Sequence, residues 1–258
     1  MKKFGICGYG GRMGQTIHSI MEERGYALGC AFDMETSPIF GTEVYPEVKV
    51  SAINVELLKN ADVVIDFSSP AATVKLLDAC IASGTAIVIG TTGIDGDLKK
   101  KITAAAEKIP VFFTPNMSVG VSLMFKLVEM ASVSIPDGYD VEIFEAHHKF
   151  KKDAPSGTAL KLLEIVKENC ARLSDAAEIF GRQGITGERT HNEIGMQVMR
   201  GGDIVGEHTV FYTGIGERLE ITHRATDRRT FAEGAVTAAA FLTGKKPGLY
   251  NMSHALGF

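Results

Sequence analysis

From residue 1 to residue 118, short apolar runs alternate with amphipathic stretches. Phe4–Cys7, Ala27–Phe32, Val63–Phe67, Ile87–Ile89 and Val111–Phe113 are rich in β-branched and aromatic residues, as buried parallel strands tend to be. Between them, Met13–Arg24, Ala71–Ser83 and Asp97–Lys108 carry a helical period. In the last of these, Leu98, Ile102 and Ala105 share one face while Lys99, Lys100 and Lys101 look outward. Strand alternating with helix predicts a Rossmann-like, doubly wound parallel sheet.

After a helix predicted at Val119–Ala131 the pattern changes. Asp140–Ala146, Ile194–Arg200, Val205–Thr213 and Arg218–Arg224 are longer and alternate polar with apolar, and the last two flank a Gly-Ile-Gly turn that reads as a hairpin. A helix is predicted at Leu160–Leu173, between the first two of these strands. The expected architecture is an α+β unit with an open mixed, mostly antiparallel sheet. The helix Thr230–Leu242 is rich in Ala and Val, like the first half. One domain is therefore expected from 1–118 with 228–258, and a second from 119–227.

Composition narrows the class. With 258 residues, 45% hydrophobic and 22% charged, the chain has material for a real core. A net charge of −4 argues against general affinity for nucleic acid or anionic membrane, so anion binding must come from a local basic patch. Cys7, Cys30, Cys80 and Cys170 are widely spaced, and the first three lie in apolar surroundings, as small core residues do. No apolar run approaches membrane-spanning length, and no signal-peptide core follows Met1. A soluble cytoplasmic protein is expected.

Gly8-Tyr9-Gly10-Gly11-Arg12-Met13-Gly14 lies between a predicted strand and a predicted helix, the setting a dinucleotide fingerprint requires. Gly8 permits the tight turn, Gly11 lets the backbone approach a pyrophosphate, and the helix start offers N–H groups. Arg12 could stack on or pair with the nucleotide. Asp33 ends the second strand, where a carboxylate accepts from a ribose 2′-OH. Asp33 would repel a 2′-phosphate and Met34 follows it, which favours NADH over NADPH. Gly90-Thr91-Thr92-Gly93 and Thr114-Pro115-Asn116-Met117-Ser118 follow two further strands and suit a nicotinamide and its ribose. The bland alternatives are a glycine turn that binds nothing and ordinary loop polarity.

The chemistry concentrates in Glu145-Ala-His-His-Lys-Phe-Lys-Lys-Asp-Ala-Pro-Ser-Gly-Thr158. A histidine supplies a proton donor near neutrality, lysines supply charge for carboxylates, and Gly157-Thr158 opens a helix with N–H groups and a hydroxyl. The alternatives are histidines at an exposed strand end and lysines on a solvated face. Consecutive histidines point to opposite sides of a strand and no third ligand is evident, so no metal site is expected. A different nicotinamide oxidoreductase and a non-enzymatic NADH-responsive binding protein remain as rival readings.

Gly-x-Gly-Gly-Arg-Met-Gly, Gly-Thr-Thr-Gly, Pro-Asn-Met-Ser-Val-Gly, Glu-Ala-His-His-Lys-x-Lys-x-Asp-Ala-Pro-Ser-Gly-Thr-Ala and Gly-Glu-His-Thr-Val, in this order, resemble the 4-hydroxy-tetrahydrodipicolinate reductase (dihydrodipicolinate reductase) family. The resemblance implies reduction of a cyclic hydroxylated dicarboxylate by NADH or NADPH, with loss of water, on the diaminopimelate route to lysine. It implies His147 as proton donor and Lys151 as second catalytic residue, with His148, Gly157 and Thr158 on the substrate carboxylates. Gly8, Tyr9, Gly10, Gly11, Arg12, Met13, Asp33, Gly90, Thr91, Thr92, Thr114, Pro115, Asn116 and Met117 would line the cofactor. It also implies a homotetramer built through the substrate-domain sheets. Met34 and Ser69 stand where some relatives carry arginines for a 2′-phosphate. Domain closure is expected about hinges near Met117–Gly120 and Asp227–Thr230, with Arg228 a candidate carboxylate ligand and Arg224 and Arg229 its competitors.

Overall fold

The computed structural model describes residues 1–258. The chain divides into two compact units, Met1–Ser118 with Arg229–Phe258, and Val119–Arg228. Arg228 belongs to the second unit, one residue beyond the boundary expected.

The first unit runs β1 (Lys3–Cys7), α1 (Arg12–Glu23), β2 (Ala27–Phe32), β3 (Glu43–Tyr45), β4 (Val48–Ser51), α2 (Val55–Leu58), β5 (Val63–Asp66), α3 (Pro70–Ser83), β6 (Ala86–Ile89), α4 (Gly96–Ala106) and β7 (Pro110–Phe113). Local chemistry sets the helix ends. Ser69 caps α3 by accepting from Ala72 N, with Pro70 in the first turn and Gly84 closing it at φ 77°. Asp95 caps α4 by accepting from Leu98 N at 2.8 Å.

The second unit contains α5 (Val119–Ser134), β8 (Asp140–His147), α6 (Gly157–Asn169), β9 (Ala177–Ile179), β10 (Glu193–Arg200), β11 (Gly206–Thr213) and β12 (Arg218–Ala225). The chain then returns through α7 (Arg229–Leu242), β13 (Gly248–Tyr250) and α8 (Met252–Leu256). No helix is long and apolar enough to cross a membrane.

The first sheet has the order β13-β7-β6-β5-β1-β2-β4-β3, parallel except for β3 with β4. Strand order reverses between β1 and β5, so the crevice beyond their carboxyl ends is the expected ligand position of such a sheet. β5 and β6 are buried throughout, as strands covered on both faces must be.

The second sheet, β12-β11-β8-β10-β9, is mixed, as expected, with its longest pairing, β11 with β12, antiparallel. β11 pairs with β12 and β8 antiparallel, but β10 pairs with β8 and β9 in parallel. The connection from β8 to β10 carries α6, and a helical crossover returns its strand in parallel. Its core joins Val128, Ile143, Leu162, Val166, Met196 and Tyr212. Tyr212 is wholly buried, and its hydroxyl donates to Val128 O at 3.1 Å and lies 2.7 Å from Ser132 Oγ. α6 lies about one turn N-terminal to its predicted place, because Ser156 caps it. It stops where Cys170 is extended, and a separate 3₁₀ turn follows at Ala171–Leu173.

Candidate active site

In the first unit the glycine turn is dictated by space. Gly8 has φ 80°, and a Cβ there would lie 2.4 Å from Phe67 O. Gly11 N donates to Gly8 O at 3.1 Å and closes the turn. A Cβ on Gly14 would lie 2.4 Å from Gly8 O, so only glycine lets α1 sit this close to the end of β1. The working spacing is therefore Gly8, Gly11, Gly14. The sequence reading missed Gly14's part, because contact between helix and strand end becomes visible only in three dimensions.

The start of α1 carries no side-chain cap and no acidic residue. Its free N–H groups and partial positive charge suit a pyrophosphate. Asp33 Oδ2 accepts from Gly10 N at 2.6 Å and Oδ1 from Met34 N at 2.7 Å, which fixes the carboxylate at the end of β2. Arg12 is exposed and Met13 half-buried. Tyr9 offers only its main chain. Its ring is buried and its hydroxyl lies 2.7 Å from Nδ1 of His18, whose pKa is lowered by burial. The residues present fit a dinucleotide.

The loops after β5 and β6 are tied together. A Cβ on Gly90 would enter the Phe67 ring, at 2.2 Å. Ser68 N donates to Thr91 Oγ1 at 3.1 Å, so that hydroxyl is already engaged, while Thr92 is exposed. Beneath them lies the buried Asp66, which accepts from Ser68 Oγ at 2.5 Å and Thr73 Oγ1 at 2.6 Å. Burial pushes its carboxyl up, against the pull of these bonds. Beyond β7, Thr114 Oγ1 donates to Asn116 O and Asn116 Oδ1 accepts from Ser118 N at 2.9 Å. Pro115 is exposed, whereas Met117 is buried with its carbonyl against Gly234 of α7.

In the second unit, β8 carries Val141, Ile143, Glu145 and His147 on one face, since alternate residues share a side. Glu145 therefore occupies a core position and is completely buried. Its carboxylate receives four donors: His147 Nδ1 at 2.5 Å, Arg200 Nη1 at 2.9 Å and Nη2 at 2.8 Å, and Ser156 N at 3.1 Å. Burial pushes its pKa up, but the bonds from His147 and Arg200 outweigh it and bring it down to about 2. With Nδ1 held by the carboxylate, His147 keeps Nε2 for proton exchange.

The turn after His147 is clipped in place. Gly201 N donates to His147 O, Lys149 N to Gly202 O and Lys151 N to His148 O. Lys151 Nζ meets both oxygens of Asp153 at 2.8 Å, while Lys149 and Lys152 are exposed. Arg228 Nη2 lies 3.4 Å from His148 Nε2. A guanidinium only donates, so Nε2 accepts and the buried Nδ1, which has no partner, carries a hydrogen that a carboxylate would satisfy. Arg224 instead pairs with Glu207, and Arg229 with Glu23 and Glu233. Gly157 and Thr158 form the first turn of α6, which Ser156 Oγ caps by accepting from Ala159 N. An added Cβ on Gly157 meets nothing within 4 Å, so the helix start is open.

His208 on β11 was missed from sequence. It is buried, its ring stands edge-on to His147 with centroids 5.2 Å apart, and Nε2 lies 3.1 Å from Ser156 Oγ. Burial, then the neighbouring His147, lowers its pKa to about 3. An unfolded histidine protonates near pH 6.5, so between about pH 6.5 and 3 the unfolded chain binds the extra proton and stability falls as pH falls. In urea unfolding at pH 7 and pH 4.5, His208→Gln is expected to lose roughly 2 kcal/mol less than the parent. Equal losses would remove His208 as the cause.

Residues 2–117 match the family model "Dihydrodipicolinate reductase, N-terminus" and residues 120–256 the model "Dihydrodipicolinate reductase, C-terminus". The 4-hydroxy-tetrahydrodipicolinate reductase of Anaeromyxobacter dehalogenans (strain 2CP-1) is 48% identical, over 100% of this chain and 98% of its own length. That of Thiobacillus denitrificans is 46% identical, over 98% and 97%. A dipicolinate-bound dihydrodipicolinate reductase from Paenisporosarcina sp. TG-14 superposes with a TM-score of 0.77 at 26% identity, covering 97% of each chain. A probable dehydrogenase from Thermotoga maritima shares the fold alone, with a TM-score of 0.60 at 12% identity. With both halves of the chain matched in order and the Glu145–Thr158 segment inside the C-terminal match, the protein belongs to the dihydrodipicolinate reductase family.

Proposed function

We propose that this enzyme, an NAD(P)H-dependent 4-hydroxy-tetrahydrodipicolinate reductase of lysine (diaminopimelate) biosynthesis, works with His147 as proton donor and Lys151 as the cation beside the reacting ring. The observation that carries the reading is His147 at the end of β8, held through Nδ1 by the buried Glu145. A nicotinamide cofactor, when bound, would supply the hydride that adds to a carbon of the substrate ring. Loss of water leaves a conjugated imine, and negative charge then develops toward the ring nitrogen. Lys151 stabilises that charge, an electrostatic contribution of several kcal/mol where water is scarce. His147 Nε2 gives its proton to the ring carbon, and solvent restores it. His148 Nδ1, Gly157 N and Thr158 hold the two carboxylates.

NADH is the assigned cofactor. Asp33 is fixed at the end of β2, where its charge would repel a 2′-phosphate, Met34 is exposed, and Ser69 is spent capping α3. No cation occupies positions 34 or 69. With freshly generated substrate, kcat/KM is expected to be at least several-fold higher with NADH than with NADPH, read from loss of absorbance. A strong NADPH preference would overturn the assignment, and no oxidation with either cofactor would overturn the substrate.

We assign the enzyme to the cytoplasm, where its four buried thiols stay free, and to a homotetramer. Met199 on β10 is exposed, and Phe144 on β8 and Phe211 on β11 are half-buried, on the sheet face opposite Tyr212, which supports contact through that face of the second sheet. Light scattering at four times 27.7 kDa is expected, and a monomer mass would refute it.

A further inference from the structure

We propose that Glu145 and Arg200 act as a positioning pair. Together they fix the orientation and tautomer of His147 and tie it to the turn that carries Lys151. The proposal rests on the reading of His147 as proton donor and extends it to two residues that touch no substrate.

β8 and β10 run in parallel with Arg200 in register with His147. From that position Arg200 makes a two-bond fork to Glu145, and its Nη2 also donates to Asp153 O at 2.7 Å. Asp153 in turn holds Lys151 Nζ. One guanidinium thus connects the acid that orients His147 to the residue that orients Lys151. Ser156 N, at the cap of α6, is fastened to the same carboxylate.

Stability alone does not account for this arrangement. A buried ion pair contributes little net stability compared with apolar residues of similar size, while breaking it is costly. What the pair supplies is a fixed charge beside an imidazole. Glu145 holds the ring through Nδ1, and the Arg200 fork shares the same carboxylate. The other groups facing His147 add little bias. His208 on β11 stays neutral, its strand neighbour His223 faces it in register, and Lys151 with Asp153 forms a balanced pair. Gly206 at the start of β11 brings only backbone against the ring, where a Cβ would sit 3.2 Å from Nε2.

The test is signed. Glu145→Gln removes the anion and leaves the guanidinium, so the pH midpoint of His147 falls. Arg200→Gln leaves the anion unshared, so the midpoint rises. Each shift is expected to be tenfold or so in proton affinity. The double variant Glu145→Gln/Arg200→Gln should return toward the parent, which guards against either single variant failing to fold. The readouts are the NMR titration of the His147 ring in the full-length enzyme and the matching limb of the kcat–pH profile. Opposite shifts in the single variants that fold, together with a near-parental midpoint in the double, support the pair. Shifts of the same sign, no shift, or a double variant displaced as far as a single overturn it. A His147→Gln enzyme that still turns over would sink the proton-donor reading, while the NMR titration would still judge the pair.

Discussion

Replacing His147 with glutamine is expected to lower kcat by roughly two to four orders of magnitude while KM moves little. Glutamine keeps a polar side chain of similar reach, so the end of β8 keeps its hydrogen-bonding character. It has no proton to give to carbon near neutral pH. General-acid transfer acts in the transition state and leaves ground-state binding almost untouched, so the loss falls on kcat. Steady-state kinetics with saturating NADH checks this. A kcat within a factor of a few of the parent would remove His147 from the reaction, and an equal loss in affinity would make it a substrate ligand.

Gly8→Ala is expected to damage nucleotide binding and stability together. A left-handed backbone costs a non-glycine residue about 1–2 kcal/mol. The new methyl would also meet Phe67 O at 2.4 Å, and that atom is main chain of the loop after β5. The loop cannot yield freely, because Ser68 is bonded to Asp66 and Thr91. The turn therefore moves instead, carrying Gly11 N away from Gly8 O and shifting the start of α1. We expect the KM for NADH to rise tenfold or more and the melting temperature to fall by roughly 5–10 °C. Parental NADH affinity would show that the phosphates do not approach this turn.

What could be read from sequence was what neighbouring residues decide. The glycine turn, the strand–helix alternation and the segment from Glu145 to Thr158 depend on contiguous chemistry, and each falls where the pattern put it. Glu145 was half legible. A strand period of two puts it on His147's face, but there it breaks an apolar row, and its reason lies elsewhere. Arg200 and His208 reach His147 only through strand register, across more than fifty residues, and register leaves no local mark. The same blindness leaves the pairing direction of β10 open, since alternation looks alike in parallel and antiparallel strands. Tyr9 shows another limit of local pattern. Between glycines it looks like an exposed turn residue, yet its hydroxyl finds His18 and its ring is buried.

The interrupted first unit bears on how the polypeptide is made. Synthesis delivers the N-terminus first, so β1–β7 leave the ribosome well before α7, which packs on β5, β6 and β7. Val119–Arg228 is an unbroken stretch and holds all it needs for its own core before the last segment exists. The nascent nucleotide half thus carries a bare apolar sheet surface throughout translation of the insert. Chaperone demand should peak in that interval and end when Arg229–Phe258 emerges.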